Sequence, residues 1–250
     1  MRQEKIKIEL LVHDLKVPLA VIETGVLSLL KRQEKYGAIK EGQEKVLNRA
    51  LRNTRLIYAL VNDALELGKS REGIINMEKF VVSKLITATL IELFDLIDFD
   101  KSEKIKECRH LSGLRKILEE KDITLVINEA LWARELFLDL GKIKQILRNL
   151  LSNAFKFRKN RIELEFYKNK NNLFFSVRDD GEGIPEVYHE KIFESYFQMD
   201  VRDSHTVRGH GLGLAGAMVL VEDMGGKLSL ESNAGEGAKF IVSIPLKAEK

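Results

Sequence analysis

The sequence predicts an α+β fold in two parts: an N-terminal helical hairpin forming a dimeric four-helix bundle, followed by an α/β sandwich domain. Residues 1–72 carry apolar side chains at spacings of three and four and show no alternating strand pattern. Residues 73–250 mix helical patterns with alternating segments and glycines. The composition changes near residue 70, so the domain boundary is set between residues 72 and 73.

The hairpin is predicted from two stripes of mostly apolar residues. The first stripe contains Ile8, Leu11, Leu15, Leu19, Ile22, Val26 and Leu29. The second contains Val46, Leu47, Leu51, Thr54, Ile57, Val61, Ala64 and Leu65. Between them, KYGAIKEGQ breaks the pattern with two glycines. Because two helices bury too little apolar area to be stable alone, we expect a second copy to complete the bundle, with C2 symmetry.

The second domain is predicted to begin with a connector over residues 71–80. Periodicity then predicts helices over 81–97, 103–120 and 139–158, with the polar segment DLIDFDKSEK as a loop between the first two. The segment KDITLVIN is predicted as a strand, and RIELEFYK and NLFFSVRD as a strand pair around NKNN. The helix GLAGAMVLVEDMG and the strands KLSLES and AKFIVSIPL follow.

Composition and charge exclude several function classes. The formal net charge of +3 argues against a dedicated nucleic-acid-binding protein. Cys108 is the only cysteine, which excludes disulfides within the chain and four-cysteine metal sites and favours a reduced, cytoplasmic setting. No apolar stretch is long enough to span a bilayer, so any membrane-bound sensor is expected in a missing region or a partner.

His13 lies in LLVHDLKVPL, directly before Asp14. On a helix it is about 200° from both Leu11 and Leu15, so we expect it to face solvent rather than the apolar stripe. A single histidine on a helix is usually a surface or core residue. Asp14 offers the ring a partner, but the pair alone does not establish a function.

Four segments of the second domain carry polar residues or glycines that a plain core does not need. QILRNLLSNAFKF places Asn149 and Asn153 on one helix face. VRDDGEGIP ends a strand in an acidic pair with closely spaced glycines, where an acid can accept a hydrogen bond from a base. RGHGLGLAGAMVL alternates glycines before a helix N-terminus, which suits phosphate, and SNAGEGAKF suits a tight connection. Each alone is also compatible with a surface pair or a flexible loop.

In this order, the segments resemble the sensor histidine kinases of two-component systems over nearly the whole chain. LLVHDLKVPL matches the phospho-acceptor box, QILRNLLSNAFKF the asparagine box and RDDGEGIP the first glycine box. KIFESYFQMD matches the phenylalanine-containing box and RGHGLGLAGA the second glycine box. MGGKLSLESNAGEGAKFIVSIP matches the family's C-terminal end.

The resemblance implies an ATP- and Mg²⁺-dependent kinase that phosphorylates its own His13, assisted by Asp14, and passes the phosphoryl group to an aspartate of a response regulator. It implies a homodimer through the hairpin. Asn153 would bind Mg²⁺, Lys156 phosphate and Asp179 the adenine amino group, and residues 195–208, with Arg202 and Arg208, would form a lid. The implied nucleotide-binding residues are Asn149, Asn153, Lys156, Asp179, Gly181, Gly183, Gly209, Gly211, Leu212 and Gly213.

The chain departs from the family pattern at a few positions. Val17 stands where Thr or Asn is usual, Asp180 where Asn is common, His210 where Thr is common and Ser195 where Pro is frequent. The region around residues 98–110 is longer than usual. None of these departures removes a catalytic group.

Two other functions share part of this pattern. A hydrolytic ATPase of the gyrase type needs a glutamate four residues before the metal-binding asparagine, and here Asn149 occupies that position and cannot act as a base. A scaffold that docks a receiver domain without turnover is disfavoured by the intact Asn153, Asp179 and glycine boxes.

Overall fold

The computed structural model describes residues 2–70, 75–194, 197 and 213–246, with side chains from Asp14 onward in the first helix. The chain divides into two compact units, Met1–Glu72 and Gly73–Lys250. Among the described residues, none of the helices combines the length and the apolar character that crossing a bilayer requires.

The first unit consists of two long helices, α1 (Arg2–Lys31) and α3 (Glu41–Ser70), which contact each other and are joined through the short helix α2 (Gln33–Tyr36). The predicted helical hairpin is confirmed. Leu19 and Leu51 are buried, and the buried Thr54 hydroxyl donates to the Ala50 carbonyl oxygen at 3.0 Å. This hydrogen bond explains why a polar residue can occupy the otherwise apolar stripe.

The second unit combines strands and helices in mixed order, as predicted. Its strands are β1 (Glu78–Val81), β2 (Ile123–Val126), β3 (Glu135–Leu138), β4 (Ile162–Lys168), β5 (Asn172–Asp179), β6 (Lys227–Ser232) and β7 (Ala238–Pro245). Its helices are α4 (Val82–Ile97), α5 (Phe99–Glu107), α6 (Leu111–Glu119), α7 (Glu129–Trp132), α8 (Leu140–Phe157) and α9 (Gly213–Asp223). Two 3-10 turns cover Glu186–Tyr188 and Lys191–Phe193.

Five strands form one sheet in the order β2-β4-β5-β7-β6, and β1 and β3 form a separate two-stranded sheet. In the larger sheet β2 runs parallel to β4, and the other neighbours are antiparallel. The predicted pairing of β4 with β5 is confirmed, with Ile162 opposite Asp179 at one end of the ladder. The end of β5 therefore lies beside the start of β4, which follows the end of α8.

Three predictions about the start of this unit are wrong. The predicted connector contains β1, whose partner β3 was not predicted and lies more than fifty residues further on. The predicted helix over 103–120 is two helices, interrupted where Cys108 takes an extended conformation. The predicted loop DLIDFDKSEK is largely helical, because Asp98 caps α5 by accepting a hydrogen bond from the Lys101 backbone N–H at 3.2 Å.

Helix α8 packs its apolar face into the core of the second unit. The five residues predicted for that face are fully buried: Ile143, Ile146, Leu147, Leu150 and Leu151. The helix contacts α4, α9 and β5. Because the apolar face is fixed against these elements, the edge of the helix that carries its polar side chains also has a fixed direction.

The N-terminal end of α8 is held by three polar contacts of Asp139 and Lys142. Asp139, which is 5% exposed, caps the helix by accepting from the Lys142 backbone N–H at 2.9 Å, and it also accepts from the Asn76 backbone N–H at 2.8 Å. The Lys142 ammonium pairs with Asp223 at 2.6 Å, and both side chains are largely buried. This pair joins the first turn of α8 to the last turn of α9.

We expect Asp139→Ala to lower the free energy of unfolding of the second unit by about 1–3 kcal/mol, because the buried N–H of Lys142 and the partly buried N–H of Asn76 lose their acceptor. Urea unfolding followed by the fluorescence of Trp132, the single tryptophan, measures it. The control is Asp100→Ala, an exposed aspartate on α5, with an expected change below about 0.5 kcal/mol. Equal effects of the two substitutions would contradict the anchoring role of Asp139.

Candidate active site

Helix α8 carries three of the predicted site residues at successive turns. Asn149 is buried, and its Nδ2 donates to the carbonyl oxygen of Gly213 at 3.0 Å. Asn153 and Lys156 follow and are half-buried. Since residues three and four apart share a helix face, the three side chains lie along one edge of α8. The Asn149 hydrogen bond ties this edge to the first residue of α9.

Lys156 is a cation whose surroundings disfavour its charge. Burial lowers the pKa of its ammonium group and outweighs the attraction of the Phe157 ring, whose centroid lies 4.7 Å from Nζ. Among the residues that the structure describes, no carboxylate forms an ion pair with it. A bound anion would therefore stabilise the charged form of Lys156.

Asp179 ends β5 and is 6% exposed. Burial raises the pKa of its carboxyl group, and the neighbouring Asp180 adds to the rise, whereas backbone N–H donors of Gly181 and Ala238 oppose it. The Gly181 N–H donates to Oδ1 at 2.9 Å. A buried carboxylate oriented in this way can accept a hydrogen bond from an amino group of a ligand.

Two glycines allow the turn after Asp179 to pack closely against the backbone of neighbouring segments. A Cβ atom on Gly181 would lie 2.3 Å from the carbonyl oxygen of Phe157, the last residue of α8. Gly183 has a φ of +71°, and a Cβ there would lie 1.9 Å from the Asn233 carbonyl oxygen. Only glycine permits both approaches, so the turn packs directly against the end of α8 and against the 233–237 turn.

Hydrogen bonds join the Asp179 turn to the 233–237 turn. The Gly235 N–H donates to the Glu182 carbonyl oxygen at 2.6 Å. The Ser232 hydroxyl accepts from the Ile184 N–H at 2.8 Å and donates to the Gly237 carbonyl oxygen at 2.6 Å. Sequence reasoning missed Ser232. Its position at a strand end before a glycine-rich turn was the signal, but its partners are known only once the strands are paired.

Asp180, which the sequence marked only as a departure from the family pattern, also has a defined role in the turn. Its Oδ1 accepts hydrogen bonds from three successive backbone N–H groups, those of Lys159, Asn160 and Arg161, at 2.9–3.0 Å. Burial acts to raise the pKa of this carboxyl group, but the three donors outweigh it and the pKa is lowered. The carboxylate is thus held ionised against the connection between α8 and β4.

The structure brings together part of the predicted site. Asn149, Asp179, Gly181 and Gly213 lie in contacts that join α8, the end of β5 and the start of α9, and Gly183 packs against the 233–237 turn. Gly209, Gly211 and Leu212 lie outside the described residues, as do Arg202, Arg208, Ser195 and His210. Of the predicted catalytic pair, Asp14 is an exposed residue of α1, and the side chain of His13 lies outside the described part.

The sequence of the second unit matches a known ATPase family. Residues 139–248 match the family described as histidine kinase-, DNA gyrase B-, and HSP90-like ATPase. This segment begins at the cap of α8 and includes the Asp179 turn, α9 and the last two strands.

Matches over at least 90% of the chain include two histidine kinases. The circadian input-output histidine kinase CikA of Synechococcus elongatus is 30% identical over 238 residues, which cover 93% of this chain and 29% of CikA. The sensor histidine kinase YkoH of Bacillus subtilis is 30% identical over 228 residues, which cover 90% of this chain and 44% of YkoH. The chain thus spans less than half the length of these relatives.

A solved structure shares the fold. The crystal structure of full-length ShkA in complex with AMPPNP has a TM-score of 0.63 to this chain at 23% identity, covering 98% of this chain and 46% of ShkA. The second unit of this chain therefore carries an ATP-binding domain of the histidine kinase-, DNA gyrase B-, and HSP90-like family, and the chain is similar to sensor histidine kinases over at least 90% of its length.

Proposed function

We propose that the chain is an ATP-dependent protein-histidine kinase that phosphorylates its own His13 and passes the phosphoryl group to an aspartate of a response regulator. The observation that carries the proposal is the position of Asp179 beside α8. A buried carboxylate at the end of β5 lies beside a helix that presents an amide, Asn153, and an ammonium, Lys156, without a carboxylate partner among the described residues. These groups suit the two ends of ATP.

Each end of the nucleotide has a matching group. The adenine amino group donates to Asp179, whose carboxylate accepts from the Gly181 N–H and has further acceptor capacity. The phosphates lie at Lys156, where they supply the counter-charge that the half-buried ammonium lacks. The turn containing Gly181 and Gly183 forms the adenine end. Gly209, Gly211 and Gly213 are assigned to the phosphates from the sequence motif, and Leu212 of the same motif to nucleotide binding.

Mg²⁺ fits this set of donors. The described residues contain no group of three or more His, Cys, Asp or Glu side chains suited to a metal ion. Mg²⁺ does not need such a group, because it is commonly bound by one or two protein oxygens together with phosphate oxygens and waters. The amide oxygen of the half-buried Asn153 is the protein ligand we assign. The ion would neutralise phosphate charge.

His13 is assigned as the nucleophile because it precedes the exposed Asp14 on α1. Neutral imidazole is abundant near neutral pH. Its Nε2 forms a bond to the γ-phosphorus, the bond from that phosphorus to the bridging oxygen breaks, and ADP leaves with the electron pair. Asp14 accepts the hydrogen bond or proton from Nδ1 and stabilises the positive charge that develops on the ring. The phosphoryl group then passes to the regulator's aspartate.

A dimer follows from the apolar stripes of the hairpin. In a single chain Leu15 is 42% exposed, Ile22 48%, Val46 63% and Ile57 45%. A second copy packed on these faces would bury them and complete a four-helix bundle. We place this chemistry in the cytoplasm, where the single cysteine, Cys108, remains a thiol.

The gyrase-type alternative is disfavoured by the contact that Asn149 makes. That alternative needs a carboxylate base at this position, but the Asn149 amide donates to Gly213 and has no proton-accepting base. Asn149 therefore fastens α9 to α8. Transfer to His13 rather than to water remains the function that these residues suit best.

We expect the protein to label itself on His13 when incubated with γ-labelled ATP and Mg²⁺. The label should be lost in acid and kept in alkali, as for a phosphoramidate. His13→Gln should abolish labelling, and His110→Gln, which changes an exposed histidine outside the hairpin, should leave it unchanged. Label that survives acid, or that persists in His13→Gln, would refute the assignment.

We expect Asn153→Ala to weaken binding of Mg²⁺–ATP by at least about tenfold, because the proposed protein ligand of the ion is lost. Calorimetry measures the affinity, with Asn171→Ala in the exposed β4–β5 turn as the matched control. Light scattering should still show a dimer, because the apolar stripes lie in residues 8–65. A monomeric wild type at micromolar concentration would contradict the bundle.

Val17 predicts weak phosphatase activity toward the phosphorylated regulator. It lies about 40° from His13 around the helix and is 51% exposed, but valine cannot orient an attacking water by a hydrogen bond. Loss of that orientation costs on the order of a hundredfold in rate. Val17→Thr should therefore accelerate decay of the phospho-regulator, whereas Val21→Thr, one turn further on and 67% exposed, should not. Fast ATP-stimulated decay with the wild type would show this prediction to be wrong.

A further inference from the structure

Asp180 joins the end of α8 to the turn that carries Asp179. Its Oδ1 accepts from the backbone N–H groups of Lys159 at 3.0 Å, Asn160 at 2.9 Å and Arg161 at 2.9 Å. These residues form the connection between Arg158, the C-terminal cap of α8, and the start of β4. One carboxylate oxygen therefore holds three of the four residues that separate α8 from β4.

The neighbouring residue makes a second contact with the same end of α8. The Gly181 Cα lies so near the helix that a Cβ there would be 2.3 Å from the Phe157 carbonyl oxygen and 3.1 Å from its carbon. Two adjacent residues of the turn thus touch α8 and its exit, one by hydrogen bonds and one by backbone packing. Both follow directly after Asp179, and Phe157 follows directly after Lys156.

These contacts fix a distance that the reaction needs. Asp179 lies at the adenine end of the nucleotide, and Asn153 and Lys156 lie at its metal and phosphate end. If the connection after α8 moved, α8 could shift along the sheet relative to the turn, and a nucleotide of fixed length could not reach both ends at once. Such a misplacement weakens nucleotide binding and slows phosphoryl transfer even though every side chain that contacts the nucleotide is still present.

We propose that Asp180 is a positioning residue, which sets the spacing between Asp179 and the Asn153 and Lys156 side chains of α8. This role rests on the proposed function, since it assigns those residues to the two ends of ATP. This role depends on the negative charge of the Asp180 carboxylate as well as on the shape of the side chain. A carboxylate oxygen accepts three hydrogen bonds more strongly than the neutral amide oxygen of an asparagine.

The test compares two ligands and three variants of the full chain. Mg²⁺–ATP engages both ends of the site, whereas AMP without metal lacks the outer phosphates and engages the adenine end. Asp180→Ala removes the acceptor, and Asp180→Asn keeps an uncharged oxygen. Glu182→Ala is the matched control, because this acid of the same turn contacts Lys159 through the side-chain ammonium at 3.0 Å and is 85% exposed.

We expect Asp180→Ala to weaken Mg²⁺–ATP binding by about tenfold and AMP binding by less than about threefold, because only the longer ligand depends on the spacing. Asp180→Asn should weaken Mg²⁺–ATP binding by about threefold and leave AMP unchanged. Glu182→Ala should bind both ligands as the wild type does. Calorimetry measures the affinity for Mg²⁺–ATP, and NMR titration measures the weaker affinity for AMP. Thermal unfolding shows whether each variant is folded.

The proposal is overturned if Asp180→Ala binds Mg²⁺–ATP as the wild type does, or if both ligands weaken by the same factor. If Asp180→Ala does not fold, Asp180→Asn is compared with the wild type instead. If the ratio of its Mg²⁺–ATP affinity to its AMP affinity is the same as in the wild type, the proposal is overturned. Failure of the proposed function is a different result. In that case the wild type itself does not bind Mg²⁺–ATP, or Asn153→Ala binds it equally well.

Discussion

The placement of α8 is the constraint on which the site depends. Its apolar face, from Ile143 to Leu151, is fully buried, so the helix cannot rotate without exposing its core residues. Asp139 and the Lys142–Asp223 pair hold its first turn. Its last turn is held by the close approach of Gly181 and by the Asp180 hydrogen bonds to the residues that follow. Asn149, Asn153 and Lys156 have defined directions because both ends of this helix are held.

The turns around Asp179 provide the second rigid part. A buried carboxylate is costly unless its direction and its hydrogen bonds are fixed. Here the Gly181 N–H donates to it, and the turn is tied to the 233–237 turn through Ser232 and through the Gly235 N–H. Each of these ties has a backbone N–H or carbonyl group on at least one side, and the side chains involved are small. The ties therefore depend on glycines that allow close approach rather than on particular large side chains.

The spacing of apolar residues predicted α4, α8 and the β4–β5 pair, because the buried face of each element is visible in the pattern of that element's own residues. It failed for β1 and β3, since four-residue strands carry little pattern and pair across a long separation. It also missed the break that begins at the extended residue Cys108, where three residues separate two helices of nine residues. In the site, Asn149, Asn153 and Asp179 were recognisable from their motifs. The roles of Asp180 and Ser232 were not, because their partners are backbone groups that only the folded topology brings near.

Burial acts on the two ends of the site in opposite directions. It raises the pKa of Asp179 and lowers the pKa of Lys156, so in each case the charged form is the one disfavoured. A ligand that presents a hydrogen-bond donor at one end and negative charge at the other relieves both costs together. ATP has this arrangement, with the adenine amino group at one end and phosphates at the other. In the proposed site the charged forms of these two groups gain stability when such a ligand binds, which explains how a few polar side chains can select one class of ligand.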